Sequence, residues 1–136
     1  MKTYTIKEMS EMFELAPSTL RYYEEMGILT DVGRTPSKQR IYYEKHVNRM
    51  KSVCCFKGTG MKISALQALF KYEENEAENI DSILSLLNDQ KEQVTIQIEQ
   101  MQQDLAHVNR KLRYYQAIKT ALDHNEALPD WNDFKK

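Results

Sequence analysis

The sequence is poor in the residues that metal, redox and disulfide chemistry use. Its 136 residues include only 2 cysteines, Cys54 and Cys55, and 3 histidines. Neighbouring alpha carbons lie about 3.8 Å apart, closer than the usual disulfide range, so a bridge between the two cysteines would be strained. Both are expected as thiols in a reducing compartment. No apolar run approaches the ~18 residues that cross a bilayer, and the opening MKTYTIKEM lacks a signal-peptide core, so a cytoplasmic location is expected. No acid/base cluster, metal-ligand set or phosphate-cradling glycine loop is found. An enzyme is therefore not expected, nor is a cofactor. Glycine and proline number only 4 and 3, and none falls between residues 80 and 122.

The overall charge of −1 hides a division. Residues 1–72 hold 12 Lys and Arg against 7 Asp and Glu, and residues 73–136 hold 7 against 13. A basic first half joined to an acidic second half suggests an anion-binding head and a separate body. Ile6, Met9, Met12 and Phe13 recur at helical spacing, with Thr5 as N-cap and Glu8 as its capping-box partner. After Glu14-Leu15-Ala16 a second helix starts at Pro17 and stops at Gly27, making a helix-turn-helix candidate. Thr19, Arg21, Tyr22 and Tyr23 on that helix carry polar groups that would need partners if buried, and they suit a surface that meets phosphates. From Ile28 to Tyr42 the text predicts a hairpin-like wing with a basic tip, carrying Arg34, Lys38 and Arg40. Two further helices follow, Glu44 to about Lys57 and about Ile63 to Tyr72, broken by Gly58 and Gly60. Val47, Met50, Val53, Phe56, Leu66, Leu69 and Phe70 are their core residues.

Residues 73–79, EENEAEN, read as an acidic hinge. Beyond them Ile80, Leu84, Leu87, Lys91, Val94, Ile98, Met101, Leu105, Val108, Leu112, Tyr115, Lys119 and Leu122 alternate steps of four and three without a slip, which is a coiled-coil seam. A single helix of about 65 Å is predicted from 1.5 Å per residue. The chain has too little left to cover that stripe, so a second copy is the expected partner. In the tail, residues 126–136, Trp131 and Phe134 either fold back as a hydrophobic clip or line a ligand pocket. His107 and His124 lie about 25 Å apart along the helix, too far for one chain to chelate with both, and read as solvated.

These residues resemble the MerR family of bacterial transcription regulators. The matching text is YTIKEMSEMFELAPSTLRYYEEMGIL, GRTPSKQRIYYEKHV and FKGTGMKISALQ, followed by the seam, so the resemblance spans residue 4 to about 122. It implies a mainly α fold: a winged helix-turn-helix head over 1–72, the hinge, and a dimerisation helix over 80–125 forming an antiparallel coiled coil. Leu87, Val94, Ile98, Met101, Leu105, Val108, Leu112 and Tyr115 would form the dimer interface. It also implies a homodimer on double-stranded promoter DNA, which bends and untwists the DNA and so acts on RNA polymerase indirectly. The second helix would enter the major groove with Pro17, Ser18, Thr19, Arg21 and Tyr22 nearest the DNA and Leu20 turned inward. Tyr22 and Tyr23 would combine phosphate contact with packing, and Arg34, Lys38, Arg40 and Tyr42 would touch backbone from the wing.

The effector is narrowed by absences. No cysteine lies in residues 56–136, where the family's thiolate metal sensors carry theirs, and the fourteen residues after Leu122 leave no room for the domain of the multidrug-binding branch. CFKGTGMKISAL and RKLRYYQ resemble the aldehyde- and thiol-stress branch, with Cys55 as the matching cysteine and Cys54 an extra one. On a helical wheel Cys54 follows the core direction, while Cys55 points away and has Lys51 one turn before it. Cys55 is thus the expected effector-sensing thiol, with Cys54 as the second candidate. A regulator with a non-thiol effector or none, and a structural coiled-coil adaptor, remain alternative readings of the same residues.

Overall fold

In the computed structural model, which describes residues 1–135, each helix starts and stops where local chemistry directs it. Helix α1, Ile6–Phe13, is opened by reciprocal bonds. The Glu8 amide donates to Thr5 Oγ1 and the Thr5 amide to Glu8 Oε1, both at 3.0 Å. Helix α2, Pro17–Glu25, begins on a proline whose missing N–H costs nothing at a first-turn position. It ends in a turn where Ile28 N–H bonds Tyr23 O at 2.9 Å and Gly27 N–H bonds Glu24 O at 3.1 Å, with Gly27 at φ 76°. That left-handed residue is the reason for glycine there.

Three short strands form one antiparallel sheet in the order β1-β3-β2. They are β1, Thr3–Tyr4, β2, Gly33–Arg34, and β3, Arg40–Tyr43. The pairs are Thr3 with Tyr43, Tyr4 with Tyr42, Gly33 with Ile41 and Arg34 with Arg40. The wing was legible in the sequence, but β1 was not, since two residues carry no period. Gly33 has a packing reason: a Cβ there would run into the Tyr43 ring, with Cζ only 3.2 Å away.

Helix α3, Glu44–Gly58, is capped by a histidine. His46 is buried, its Nδ1 accepts from the Tyr43 amide at 2.9 Å, and its Nε2 lies 2.7 Å from Thr30 O. The first bond fixes Nδ1 as the acceptor, so Nε2 carries the proton and donates to Thr30. Helix α3 runs through Gly58, and the break falls at Gly60, whose φ is 88°. Helix α4, Ile63–Glu73, leads through a turn in which the Asn79 side-chain amide donates to Tyr72 O and Asn75 O. The stretch read as a hinge is thus internally hydrogen-bonded.

Helix α5, Ile80–Asp123, is 44 residues long. Two compact units divide the chain after Gln90. The first has one core that joins Met9, Leu20, Ile28, Tyr42, Met50, Leu66 and Ile83, with Leu86 packed against it. Ile83 and Leu86 lie off the coiled-coil seam and were missed in the periodic reading. They, and a bond from the Gln90 amide to Thr59 Oγ1 at 2.9 Å, hold the start of α5 in the first unit, beyond the boundary suggested by charge.

In the second unit the tail folds onto α5. A 3-10 turn, Trp131–Asp133, sets Trp131 edge-on to Tyr114 at 5.3 Å, and Phe134 meets the same ring at 5.6 Å. Lys111 Nζ lies 4.2 Å from the Trp131 ring centre. The tail is therefore the clip of the two readings. His107, read as solvated, is exposed but also meets the edge of Trp131 at 6.2 Å.

Candidate nucleic-acid interface

The turn between α1 and α2 is short because it is tied at both ends. Glu14 takes a left-handed φ of 54°, the Leu15 amide donates to Ser10 O at 3.1 Å, and the Ser10 hydroxyl donates back to Leu15 O. The far end of α2 is held by side chains of the following helices. Gln67 donates to Met26 O at 2.8 Å, and Arg49 donates to Ile28 O at 3.1 Å with its guanidinium 4.0 Å from the Phe70 ring centre. An exposed helix fixed at both ends keeps its outward side chains in register.

Those side chains are Pro17, Ser18, Arg21 and Tyr22, all exposed, with Thr19 half-buried and Leu20 fully buried. Tyr23 shows the packing side of its expected double role. It lies three residues after Leu20, shares its inward face, and is 6% exposed. Tyr42 departs from the expectation: it sits on the middle strand, opposite Tyr4, and is fully buried. Its hydroxyl has no hydrogen-bond partner among the described residues, and burial pushes its pKa up. Both rings belong to the core, since their position on the helix or strand turns them inward; this is the packing expected of Tyr23, while the placement of Tyr42 as a backbone contact of the wing is corrected.

The wing arginines are neither free nor independent. Arg40 Nε donates to Glu24 Oε1 at 2.7 Å and Arg34 Nη2 to Glu24 Oε2 at 2.9 Å, so one carboxylate on α2 holds both. Burial by itself pushes the Glu24 carboxyl up, but the bonds from Arg40 and Arg34 outweigh it and hold it below its usual range. The wing tip closes on itself, with Thr35 Oγ1 accepting from the Gln39 amide at 3.0 Å and Lys38 at a left-handed φ of 68°.

Between the start of α1, α2 and the wing lies a groove of about 640 Å³. Lys7, Arg21, Lys38 and Arg40 line it, together with Thr3 and Thr5. The one carboxylate among its lining residues, Glu8, is bonded to the Thr5 amide. Four cations around a groove with hydroxyls at its edge can take up the oxygens of a phosphate backbone. Lys7 and Glu24 were missed in the sequence. Lys7 reads as an ordinary solvated helix position, and Glu24 finds its arginines 10 and 16 residues away, a separation that leaves no local pattern.

The thiols divide as the helical wheel suggested. Cys54 is half-buried, with its pKa pushed up by burial, and Cys55 is exposed. Among the described residues no group of three or more His, Cys, Asp or Glu could hold a metal ion. No helix is long and apolar enough to cross a membrane. In the second unit Ile98, Met101, Leu105, Val108, Leu112 and Tyr115 are each more than half exposed and Val94 is half-buried, and in the first unit Leu87 is 37% exposed.

Comparison with known proteins gives the following. The family model described as MerR HTH family regulatory protein matches residues 4–88. An uncharacterized HTH-type transcriptional regulator of Haemophilus influenzae is 29% identical over 117 residues, covering 86% of this chain and 87% of that protein. The HTH-type transcriptional regulator AdhR of Bacillus subtilis is 34% identical over 61 residues, 45% of this chain and 44% of its own length. Among solved structures, HiNmlR, a MerR family regulator lacking the sensor domain and bound to promoter DNA, superposes with a TM-score of 0.76 at 28% identity. That match covers 88% of this chain and 94% of HiNmlR.

Proposed function

The chain belongs to the MerR family of HTH regulatory proteins, and from that premise we propose that it works as a homodimer which distorts promoter DNA and is triggered by an electrophile at Cys55. It is a DNA-binding transcriptional regulator and not an enzyme. The observation that carries the reading is the cationic groove. Arg21 of α2 and the clamped wing face it together, and HiNmlR, of the same fold, is a protein bound to promoter DNA. The two HTH units of a dimer would read two half-sites, and backbone contacts would offset the roughly 1–6 kcal/mol that bending DNA costs.

The dimer is supported by the stripe along α5. Burying a Leu, Ile or Val side chain is worth about 1.5–3 kcal/mol, and the exposed stripe of Ile98, Leu105, Val108 and Leu112 leaves that unrealised in a lone chain. An antiparallel pairing follows from the family resemblance rather than from the stripe, which sets no direction. A cytoplasmic location accords with a role on promoter DNA.

The trigger is supported by accessibility and by what lies next to Cys55. Cys55 is exposed, and its carbonyl accepts from the Thr59 amide at 3.3 Å. Thr59 in turn accepts from Gln90 of α5. An aldehyde carbonyl carbon attacked by the Cys55 thiolate gives a hemithioacetal, with the alkoxide oxygen taking a proton from water. A group added there sits one helical turn before Thr59, whose bonds from Gln90 tie the end of α3 to α5, a place from which a small displacement would be passed to the long helix. The test is transcription from the protein's own promoter after exposure to aldehydes, quinones, diamide and metals. Cys55→Ser is expected to keep DNA binding and lose induction, and Cys54→Ser to keep both. Loss of induction in Cys54→Ser alone would reverse the assignment, and induction in the double variant would remove the thiol mechanism.

A further inference from the structure

Arg34 and Arg40 face each other directly across β2 and β3. Like charges in that position repel, and a hairpin with such a pair is weakened unless something else intervenes. Here the intervening group comes from another element. Glu24, in the last turn of α2, uses one oxygen for each guanidinium, at 2.7 and 2.9 Å. Arg34 is further turned onto Gly33 O at 3.1 Å. The three side chains are all partly shielded, 39%, 26% and 23% exposed for Arg34, Arg40 and Glu24, so the ion pairs are not fully screened surface contacts. The charge of the cluster remains positive, and Arg40 still lines the groove with Arg21 and Lys38.

We propose that Glu24 is a positioning residue of the DNA interface: it fixes the wing against the recognition helix, so that Arg34 and Arg40 meet phosphates at the register set by Arg21. The inference rests on the reading that the wing touches DNA. The expected effect of removing Glu24 is opposite in sign to that of simple electrostatics. A carboxylate beside a polyanion lowers affinity through repulsion, and its removal alone would tighten binding and steepen the salt dependence. A carboxylate that holds two arginines in place has the reverse effect, because the freed side chains recover rotamer entropy and leave the positions from which they reach phosphates, so that contacts are lost.

The experiment measures affinity against salt concentration for the full chain on a duplex selected from a random-sequence pool by the wild-type protein. Glu24→Gln keeps the size and removes the charge. The expected result is binding weaker by about tenfold, the scale of one lost charge-assisted hydrogen bond, with a salt slope flatter by about one to two units. Arg34→Ala and Arg40→Ala should each flatten the slope by about one unit. Adding Glu24→Gln to the double arginine variant should then weaken binding no further, because only the repulsion of the carboxylate is left to remove. Thermal unfolding of Glu24→Gln separates the proposal from a loss of fold, since weaker binding with an unchanged slope would assign Glu24 a structural role only and overturn it. Tighter binding or an unchanged affinity in Glu24→Gln, with the arginine variants impaired, would overturn this inference alone. Arginine variants that bind as the wild type would overturn the wing contact and the role of Glu24 together.

Discussion

The first unit and the second solve the same problem in different ways. Through Gln90 the chain closes its own core: Met9, Leu20, Ile28, Tyr42, Met50, Val53 and Leu66 have no exposed surface. From Lys91 on, Ala121 alone is buried among the described hydrophobic residues, and the apolar seam of α5 meets water. The difference shows which unit is self-sufficient. One unit buries its own apolar side chains and so holds the candidate interface in place, whereas the other leaves an apolar face that the proposed partner copy would cover.

The largest expected effect comes from removing that partner. Replacing Ile98 and Leu105 by Asp places charges where apolar side chains would pack, at a cost of about 3–5 kcal/mol for each charge buried without a partner. Sedimentation should show a monomer whose circular dichroism still reports a folded first unit. A variant that sediments as a dimer would move the interface elsewhere. Next is the self-sufficient unit: Leu20→Ala should cost about 2–5 kcal/mol in denaturant unfolding, the usual penalty for emptying a buried leucine site. A cost near zero would mean that the core closes around the change.

A smaller effect depends on pH. The folded Glu24 carboxyl lies below its usual range, so its ion pairs contribute stability above the unfolded pKa, and that contribution is lost as pH falls through the lower folded value. Wild type should exceed Glu24→Gln in stability near neutral pH, and the gap should close in acid. A gap that widened in acid would contradict the clamp. The smallest effect concerns the tail. Trp131 is the sole tryptophan, so its emission reports the clip, and Tyr114→Ala should shift that emission to the red. The expected loss is about 0.5–1.5 kcal/mol of local stability, the scale of one aromatic pair.

Most of the architecture was legible in the sequence because it is written in local rules. The capping box at Thr5 and Glu8, the Pro17 start, the Gly27 stop and the α5 seam each depend on residues a turn or two apart. What was not legible depends on distant pairs. Glu24 meets its arginines only after the wing has folded back onto α2, and β1 acquires its strand character from β3. Tyr42 was misplaced, and the depth of Tyr23 was not legible, for a related reason. A tyrosine suits both a core and a phosphate surface, and the sequence motif ranked them together with Tyr22, whereas the three-residue step from Leu20 and the alternation along β3 turn them inward.

The central claim is that α2 and the wing form one surface that binds DNA phosphates and bases, with Arg21 at its middle. The direct measurement is the affinity of wild type and Arg21→Ala for the self-selected duplex over a range of salt. A base contact by Arg21 predicts a loss of about 1–3 kcal/mol with relaxed sequence preference, and a phosphate contact predicts a slope flatter by about one unit. Binding by Arg21→Ala with the affinity, preference and slope of the wild type would contradict the account.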